Sequence, residues 1–162
     1  MFSDDLIAQS TALLQAARDA NVKLATAESC TGGLIAGLLT EIPGSSDVVD
    51  RGFVTYSNAA KMALLGVPET DIQTHGAVSE IVATAMVAGA LTHADADVAV
   101  AVTGVAGPGG GTAAKPVGLV WMAAQRRGQT VVTREMRYGD TGRTAVRLAT
   151  VRDAIALMQA QI

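Results

Sequence analysis

The amino-acid sequence predicts a three-layer α/β/α fold with a mixed β-sheet. Two observations carry this prediction: strands and helices alternate along most of the chain, and two consecutive strands joined by a tight turn come near its end. Alternation favours parallel strands covered by helices on both faces, whereas the late hairpin adds antiparallel strands. The composition, 49% hydrophobic and 17% charged, is typical of a compact globular protein.

Each element follows from a local pattern. An acidic first turn and apolar residues at helical spacing predict the first helix, and short β-branched runs that end in turn residues predict the strands. The turn around Arg127-Gly128 predicts the hairpin. Helices are expected at 4–20, 34–40, 58–65, 79–93 and 141–161, and strands at 22–27, 52–56, 97–103, 117–125 and 130–138.

Composition and charge narrow the classes of function. A net charge of −3 gives no reason to expect a nucleic-acid partner. Cys30 is the only cysteine, which rules out an intrachain disulfide and a cysteine-based zinc site. The acidic start lacks the features of a signal peptide, and no apolar run approaches the roughly 20 residues that span a bilayer. We therefore expect one domain over 1–162 that is cytoplasmic and has no membrane partner.

The segment from Glu28 to Gly33 is the first candidate for chemistry. Ser29 lies between a strand end and a helix start, where free N–H groups and the positive end of the helix dipole converge. A serine there can attack a carbonyl, while the N–H groups of Thr31, Gly32 and Gly33 receive the oxyanion. The alternative is that Ser29 only caps the helix, and this segment alone favours the cap.

A second candidate segment runs from Tyr56 to Lys61. If a helix begins near Asn58, Lys61 lies about one turn into it and can point back towards Tyr56. A lysine in a water-poor pocket has a lowered pKa and can act as a base, with the tyrosine as a proton relay. On this segment alone, a solvated helix lysine beside a packed tyrosine is the favoured interpretation.

The third candidate is the loop that begins at Thr103 and Gly104 and runs to Gly111. Its N–H groups could cradle a phosphate or a ribose. The loop matches neither the P-loop nor a dinucleotide-binding fingerprint, because a lysine, a proline and a strand follow it. A flexible surface connection is the alternative.

Other catalytic arrangements remain open from the residues alone. His75 and His93 are the only histidines, too few for a three-histidine metal site, and they lack the His-Glu-x-x-His spacing. A triad of Ser29 with His75 is not excluded by their order in the chain, although Ser29 lacks the Gly-x-Ser-x-Gly elbow. Cys30 could compete with Ser29 as nucleophile, but a lone cysteine beside a helix start is more often a small packed hydrophobe.

Four motifs taken together resemble one family, the C-terminal domain of the competence/damage-inducible protein CinA, also found alone as bacterial nicotinamide mononucleotide deamidase. The resemblance runs from about Leu6 to the C-terminus without large gaps. The motifs are Ala27-Glu28-Ser29-Cys30-Thr31-Gly32-Gly33, Gly52-Phe53-Val54-Thr55-Tyr56-Ser57-Asn58 with Lys61, His75-Gly76-Ala77-Val78-Ser79-Glu80, and Gly104-Val105-Ala106-Gly107-Pro108 with Lys115-Pro116-Val117-Gly118.

The resemblance implies hydrolysis of the carboxamide of nicotinamide mononucleotide, in pyridine nucleotide salvage, by a Ser–Tyr–Lys amidase without metal or cofactor. It implies that Ser29 is the nucleophile and that Tyr56 and Lys61 activate it. It places Thr103, Gly104 and Arg143 at the substrate pocket, and it points to a homodimer or higher homo-oligomer.

The phosphate of such a substrate needs a cationic site. Arg143 and Arg147 are spaced i and i+4 at the start of the last predicted helix and would share a face near its positive end. For Arg147, substrate binding and a solvated surface position are equally favoured. The competing functions are a non-catalytic nucleotide-binding or regulatory module of the same fold, a structural partner domain, and an amidase for another carboxamide.

Overall fold

A computed structural model of the chain describes residues 2–162. In this range it contains five strands, six α-helices and a 3-10 turn at Ser45–Asp47. The strands are β1 (Leu24–Glu28), β2 (Val49–Val54), β3 (Val98–Gly104), β4 (Leu119–Arg126) and β5 (Val132–Arg137). The helices are α1 (Asp4–Asp19), α2 (Leu34–Glu41), α3 (Asn58–Leu65), α4 (Glu69–His75), α5 (Glu80–His93) and α6 (Arg143–Gln159).

The five strands form one mixed sheet in the order β2-β1-β3-β4-β5. Strand β1 pairs in parallel with both β2 and β3, whereas β4 is antiparallel to β3 and to β5. The predicted mixed sheet with a late hairpin is therefore confirmed. Because β1 is followed in sequence by β2 on one side and lies beside β3 on the other, the β1–β3 boundary is a topological switch point, where open α/β sheets bind ligands.

Helices cover both faces of the sheet, as the fold prediction requires. On one face, α1, α2 and α6 pack on larger strand side chains such as Leu24, Val100 and Met122. On the other face, α5 lies over the alanines of β1, β3 and β4, and α3 and α4 pack against α5. The small side chains of that face let α5 approach the sheet closely, and a Cβ on Gly89 of α5 would lie 2.0 Å from the carbonyl oxygen of Leu65 in α3. A glycine is required where α3 crosses α5.

Two elements differ from the sequence prediction. The second strand was expected at 52–56 but spans Val49–Val54, so Thr55 and Tyr56 lie beyond its end. It is an edge strand with no buried residue, and Asp50 and Arg51 interrupt its early part, which hides it from a hydrophobicity pattern. The short helix α4 was not predicted, because it buries only Ile72 and has no apolar stripe.

Candidate active site

A cavity of about 210 Å³ opens at the carboxyl ends of β1 and β3. Its wall combines residues from all three candidate segments with one arginine of α6: Ser29, Tyr56, Lys61, Thr103, Gly104 and Arg143. A larger depression of about 440 Å³ lies between α4, α5 and β5 and shares no lining residue with this cavity. It is lined by alanine, threonine, apolar side chains and two carboxylates, whereas the smaller cavity brings together the serine, lysine and tyrosine of the candidate segments.

The centre of the cavity is a contact between Lys61 and Ser29. The Nζ atom of Lys61 lies 3.0 Å from Oγ of Ser29 and 2.9 Å from the carbonyl oxygen of Thr55. Both side chains are buried, with 1% of Lys61 and 8% of Ser29 exposed. The amine donates to both oxygens, and in its neutral form its lone pair lies within reach of the proton of the Ser29 hydroxyl. This is the geometry of a nucleophile and its base.

Helix α3 brings Lys61 to the serine because of where it begins. The Oγ atom of Ser57 caps the helix by accepting from the N–H of Ala60 at 3.1 Å. Lys61 is then in the first turns of α3, and helical side chains lean towards the N-terminus of their helix. That direction carries the amine back to the ends of β1 and β2.

Burial changes the acidity of two groups beside Ser29. Loss of solvation lowers the pKa of Lys61 below that of a free lysine, since the low-dielectric surroundings disfavour its ammonium form. The same effect raises the pKa of the Cys30 thiol to about 12. Cys30 is 6% exposed and packs in the α1–α2–α6 core, so its side chain is a buried hydrophobe and the serine is the better placed nucleophile.

Glu28, which sequence reasoning overlooked, holds the serine loop in place. Its carboxylate accepts from the N–H groups of Gly33 at 3.0 Å, Ile35 at 3.0 Å and Ala36 at 2.8 Å. It also accepts from the hydroxyl of Thr31 at 2.7 Å and, at 3.2 Å, from that of Thr26. Glu28 therefore caps the N-terminus of α2 from the end of β1. Ser29 is not needed as the helix cap. The sequence signal that could have indicated this role is a glutamate at the end of a buried strand, just before a helix start.

Replacing Glu28 by glutamine is expected to lower the free energy of unfolding by about 1–3 kcal/mol. Both carboxylate oxygens accept from backbone N–H groups, so an amide NH₂ would face a donor whichever way it pointed. Urea unfolding measures the difference, with the exposed Glu41→Gln of the same helix as the control. Equal midpoints for the two variants would show that the cap contributes nothing.

The structure changes the choice of oxyanion donors. The N–H of Gly32 already donates to the carbonyl of Ser29 at 3.1 Å, and that of Gly33 to Glu28. Neither glycine is therefore available to a substrate, contrary to expectation. Within residues 2–162, the N–H groups of Cys30 and Thr31 have no hydrogen-bond acceptor. They follow the nucleophile directly and become the candidate donors.

Tyr56 and Arg143 meet at the mouth of the cavity. The hydroxyl of Tyr56, a side chain that is 61% exposed, accepts from Nη2 of Arg143 at 2.9 Å, and Nη1 of the arginine donates to the carbonyl of Gly107 at 2.9 Å. The tyrosine was expected to act as a proton relay for the lysine, and in the structure its hydroxyl pairs with the arginine. Its own O–H proton stays available to a group in the cavity.

The remaining predicted residues divide into two groups. Thr103 and Gly104 line the cavity, with the Thr103 hydroxyl donating to the carbonyl of Ala77 at 2.9 Å. A Cβ on Gly104 would lie 2.8 Å from the carbonyl oxygen of Leu119, so this glycine serves the close packing of β3 on β4. Arg147 does not line the cavity; it binds the carbonyls of Cys30 and Thr31 from behind.

The two histidines lie away from the serine. Both are exposed, and neither lines the cavity that contains Ser29. Ser29 and His75 therefore do not form a catalytic triad. Across residues 2–162, no three His, Cys, Asp or Glu side chains gather closely enough to hold a metal ion, and no helix has the length and apolarity needed to cross a membrane.

The sequence profile of the CinA C-terminal domain family matches residues 7–162. The chain belongs to this family. The nicotinamide-nucleotide amidohydrolase PncC of Escherichia coli K12 is a curated relative of this chain. The two are 49% identical over 148 residues, which cover 91% of this chain and 88% of that protein. The protein of the same name from Enterobacter agglomerans is 57% identical over 123 residues, covering 75% of this chain and 74% of that one.

Other curated relatives of this chain are longer proteins. A CinA-like protein of Akkermansia muciniphila is 57% identical over 118 residues, which cover 73% of this chain but only 28% of that protein. The chain thus spans about a third or less of the first curated relatives that it matches. Among solved structures, the competence/damage-inducible protein CihA from Agrobacterium tumefaciens superposes with a TM-score of 0.98 at 53% identity, covering 99% of this chain and 98% of that one.

Proposed function

We propose that this chain hydrolyses the carboxamide of nicotinamide mononucleotide to nicotinic acid mononucleotide and ammonia. The observation that carries the proposal is the buried contact of 3.0 Å between Nζ of Lys61 and Oγ of Ser29. The names of two relatives that match most of the chain, nicotinamide-nucleotide amidohydrolases, supply the substrate class. The residues proposed to act on the substrate are Ser29, Lys61 and Tyr56.

The first half of the reaction forms an acyl-enzyme. Neutral Lys61 accepts the proton of Ser29 as its Oγ attacks the carboxamide carbon. The N–H groups of Cys30 and Thr31 hold the oxyanion that develops on the former carbonyl oxygen. The ammonium of Lys61 then gives that proton to the amide nitrogen, directly or through the hydroxyl of Tyr56, which passes on one proton as it receives another, so that Lys61 is neutral again. The C–N bond breaks and ammonia leaves.

The second half restores the enzyme. Water attacks the ester carbon of the acyl-serine, and Lys61 takes a proton from that water. The tetrahedral adduct collapses, the bond to Oγ breaks, and Lys61 returns the proton to Ser29. One amide and one water have become one carboxylic acid and one ammonia. Burial lowers the pKa of Lys61, so its amine gives up its proton more readily than that of a solvated lysine, which suits a group that must accept and return a proton.

The size of the cavity determines which part of the substrate it can enclose. At about 210 Å³ it falls below the roughly 300–1,000 Å³ that enclose a drug-sized ligand. The pyridine ring with its carboxamide therefore enters, and the ribose phosphate stays at the mouth. Arg143 lies there, and it is the arginine that we assign to the phosphate. Thr103 borders the ring.

The setting of the reaction is part of the proposal. Two helical layers pack on one sheet throughout the described residues, which supports a single amidohydrolase domain. We propose that the chain acts in the cytoplasm, in pyridine nucleotide salvage, as a homodimer or higher homo-oligomer, without a cofactor. A non-catalytic regulatory module of the same fold is disfavoured by the intact serine–lysine contact.

Incubating the purified protein with nicotinamide mononucleotide is expected to release ammonia and nicotinic acid mononucleotide in equal amounts. Parallel reactions with nicotinamide and with nicotinamide riboside measure the contribution of the ribose and the phosphate. We expect a rate unchanged by a metal chelator, because the proposed chemistry uses only side chains and backbone N–H groups. Absence of ammonia from the mononucleotide would remove the proposed function, whereas faster turnover of another carboxamide would reassign the substrate.

A further inference from the structure

Arg147 occupies a position that phosphate binding does not explain. It follows Arg143 by one turn on α6, yet the two guanidinium groups point to different places. Arg143 reaches Tyr56 and Gly107 at the mouth of the cavity, whereas Nε of Arg147 donates to the carbonyl of Cys30 at 3.1 Å and Nη2 to that of Thr31 at 2.7 Å. Arg147 is half-buried and is absent from the cavity wall.

The guanidinium fits closely against the serine loop. A Cβ on Gly32, which has a φ of +61°, would lie 3.4 Å from Nη2 of Arg147. Two parallel donors of a planar fork, each on a different carbonyl, fix the direction of two successive peptide groups. An ammonium could not bind both carbonyls with the same geometry.

The first of these two peptide groups contains the N–H of Thr31, one of the two donors proposed above for the oxyanion. The carbonyl of Cys30 and the N–H of Thr31 belong to one resonant peptide unit. A cationic donor at that carbonyl draws electrons from the nitrogen and makes the Thr31 N–H a stronger donor, as hydrogen-bonded groups polarise one another. After the loop, Glu28 accepts from the N–H groups of Gly33, Ile35 and Ala36. The loop is thus fixed through its carbonyls by a cation and through its N–H groups by a carboxylate.

We propose that Arg147 is a positioning residue that orients and polarises the oxyanion-binding peptide of the serine loop and does not bind the phosphate. The inference rests on the proposed function, since an oxyanion arises only if Ser29 attacks a carbonyl. It assigns the two neighbouring arginines of α6 to different tasks: Arg143 recognises the substrate and Arg147 stabilises the transition state through backbone. Both residues are arginines, so only their hydrogen-bond partners distinguish the two proposed roles.

The test compares Arg147→Gln and Arg147→Lys with the matched variants Arg143→Gln and Arg143→Lys, on nicotinamide mononucleotide and on nicotinamide riboside, which lacks the phosphate. Arg147→Gln is expected to lower kcat by on the order of 10–100-fold on both substrates with little change in KM. Arg147→Lys, which keeps the charge but not the fork, loses less. Arg143→Gln instead raises KM, and more for the mononucleotide than for the riboside.

A second measurement separates positioning from general damage and does not depend on turnover. Pyridine-3-boronic acid forms a tetrahedral adduct with an active serine, whereas nicotinic acid mononucleotide binds without one. Arg147→Gln is expected to weaken boronate binding by about the factor lost from kcat and to leave binding of the product within about twofold. Thermal unfolding confirms that the variants are folded.

Each outcome is decisive. A selective rise in KM for the mononucleotide in Arg147→Gln would make Arg147 a phosphate ligand and overturn the inference. Unchanged kcat and boronate affinity would also overturn it, as would an equal loss of boronate and product binding. If the wild type released no ammonia from either substrate, the proposed function would fail, and the boronate series alone would then decide the role of Arg147.

Discussion

Ser29→Ala is expected to lower kcat for the carboxamide by between about 10⁴- and 10⁶-fold, the range found when the nucleophile or a partner of a catalytic serine is removed. The alanine has no atom that can form the acyl-enzyme. Its KM and melting temperature are expected to change little, because within residues 2–162 Oγ of Ser29 has a single hydrogen-bond partner, Lys61. Ammonia release under saturating substrate measures the loss.

Ser46→Ala is the matched control for this prediction. Ser46 lies exposed in the 3-10 turn before β2 and makes no contact with the cavity. We expect it to retain the activity of the wild type. A Ser29→Ala protein with more than about a tenth of that activity would exclude Ser29 as the nucleophile, since removal of a nucleophile costs far more.

Lys61→Met is expected to produce the second large loss, on the order of 10³-fold or more in kcat/KM, because the serine proton then has no acceptor. The pH profile of the wild type gives the sign of the effect. Only the neutral amine accepts a proton, so kcat/KM rises as pH increases through the lowered pKa of Lys61 and is flat above it. The acid limb should be absent from the residual activity of the variant.

The same group makes stability depend on pH. Between the lowered pKa of Lys61 in the folded protein and its ordinary value of 10.5, the unfolded chain binds a proton that the folded chain does not. The wild type therefore gains stability relative to Lys61→Met as pH rises through that window. Lys23→Met is the control, because Lys23 is exposed, pairs with Asp95 at 2.7 Å and does not line the cavity. A pH-independent difference for Lys61→Met would contradict the lowered pKa.

The sequence was informative where local patterns decide the structure. The alternation of elements predicted the mixed sheet, and turn residues placed α3 so that Lys61 falls near its start. Since the ends of parallel neighbours meet at one edge of a sheet, the segments after β1 and β3 were bound to converge. The catalytic pairing of Ser29 with Lys61 was inferred only from the resemblance to the CinA C-terminal domain. Each segment taken alone favoured a structural role for its residue.

The remaining details depend on side-chain directions, which spacing does not determine. Arg143 and Arg147 have the spacing of residues on one helix face, yet Arg143 binds Tyr56 at the cavity mouth and Arg147 binds the backbone of the serine loop. Gly32 and Gly33 looked like oxyanion donors, but Glu28 and the Ser29 carbonyl already occupy their N–H groups. A sequence pattern identifies which groups are near; only the coordinates show which hydrogen bonds are already made.

Hydroxylamine trapping tests the central claim, an acyl-enzyme on Ser29, most directly. During turnover of nicotinamide mononucleotide, hydroxylamine competes with water for the acyl-serine. We expect the nucleotide hydroxamate to form in proportion to the hydroxylamine added, at the expense of the acid, and to be absent with Ser29→Ala. Ammonia release without any hydroxamate, or hydroxamate formed equally by Ser29→Ala, would contradict the assignment of Ser29 as the nucleophile.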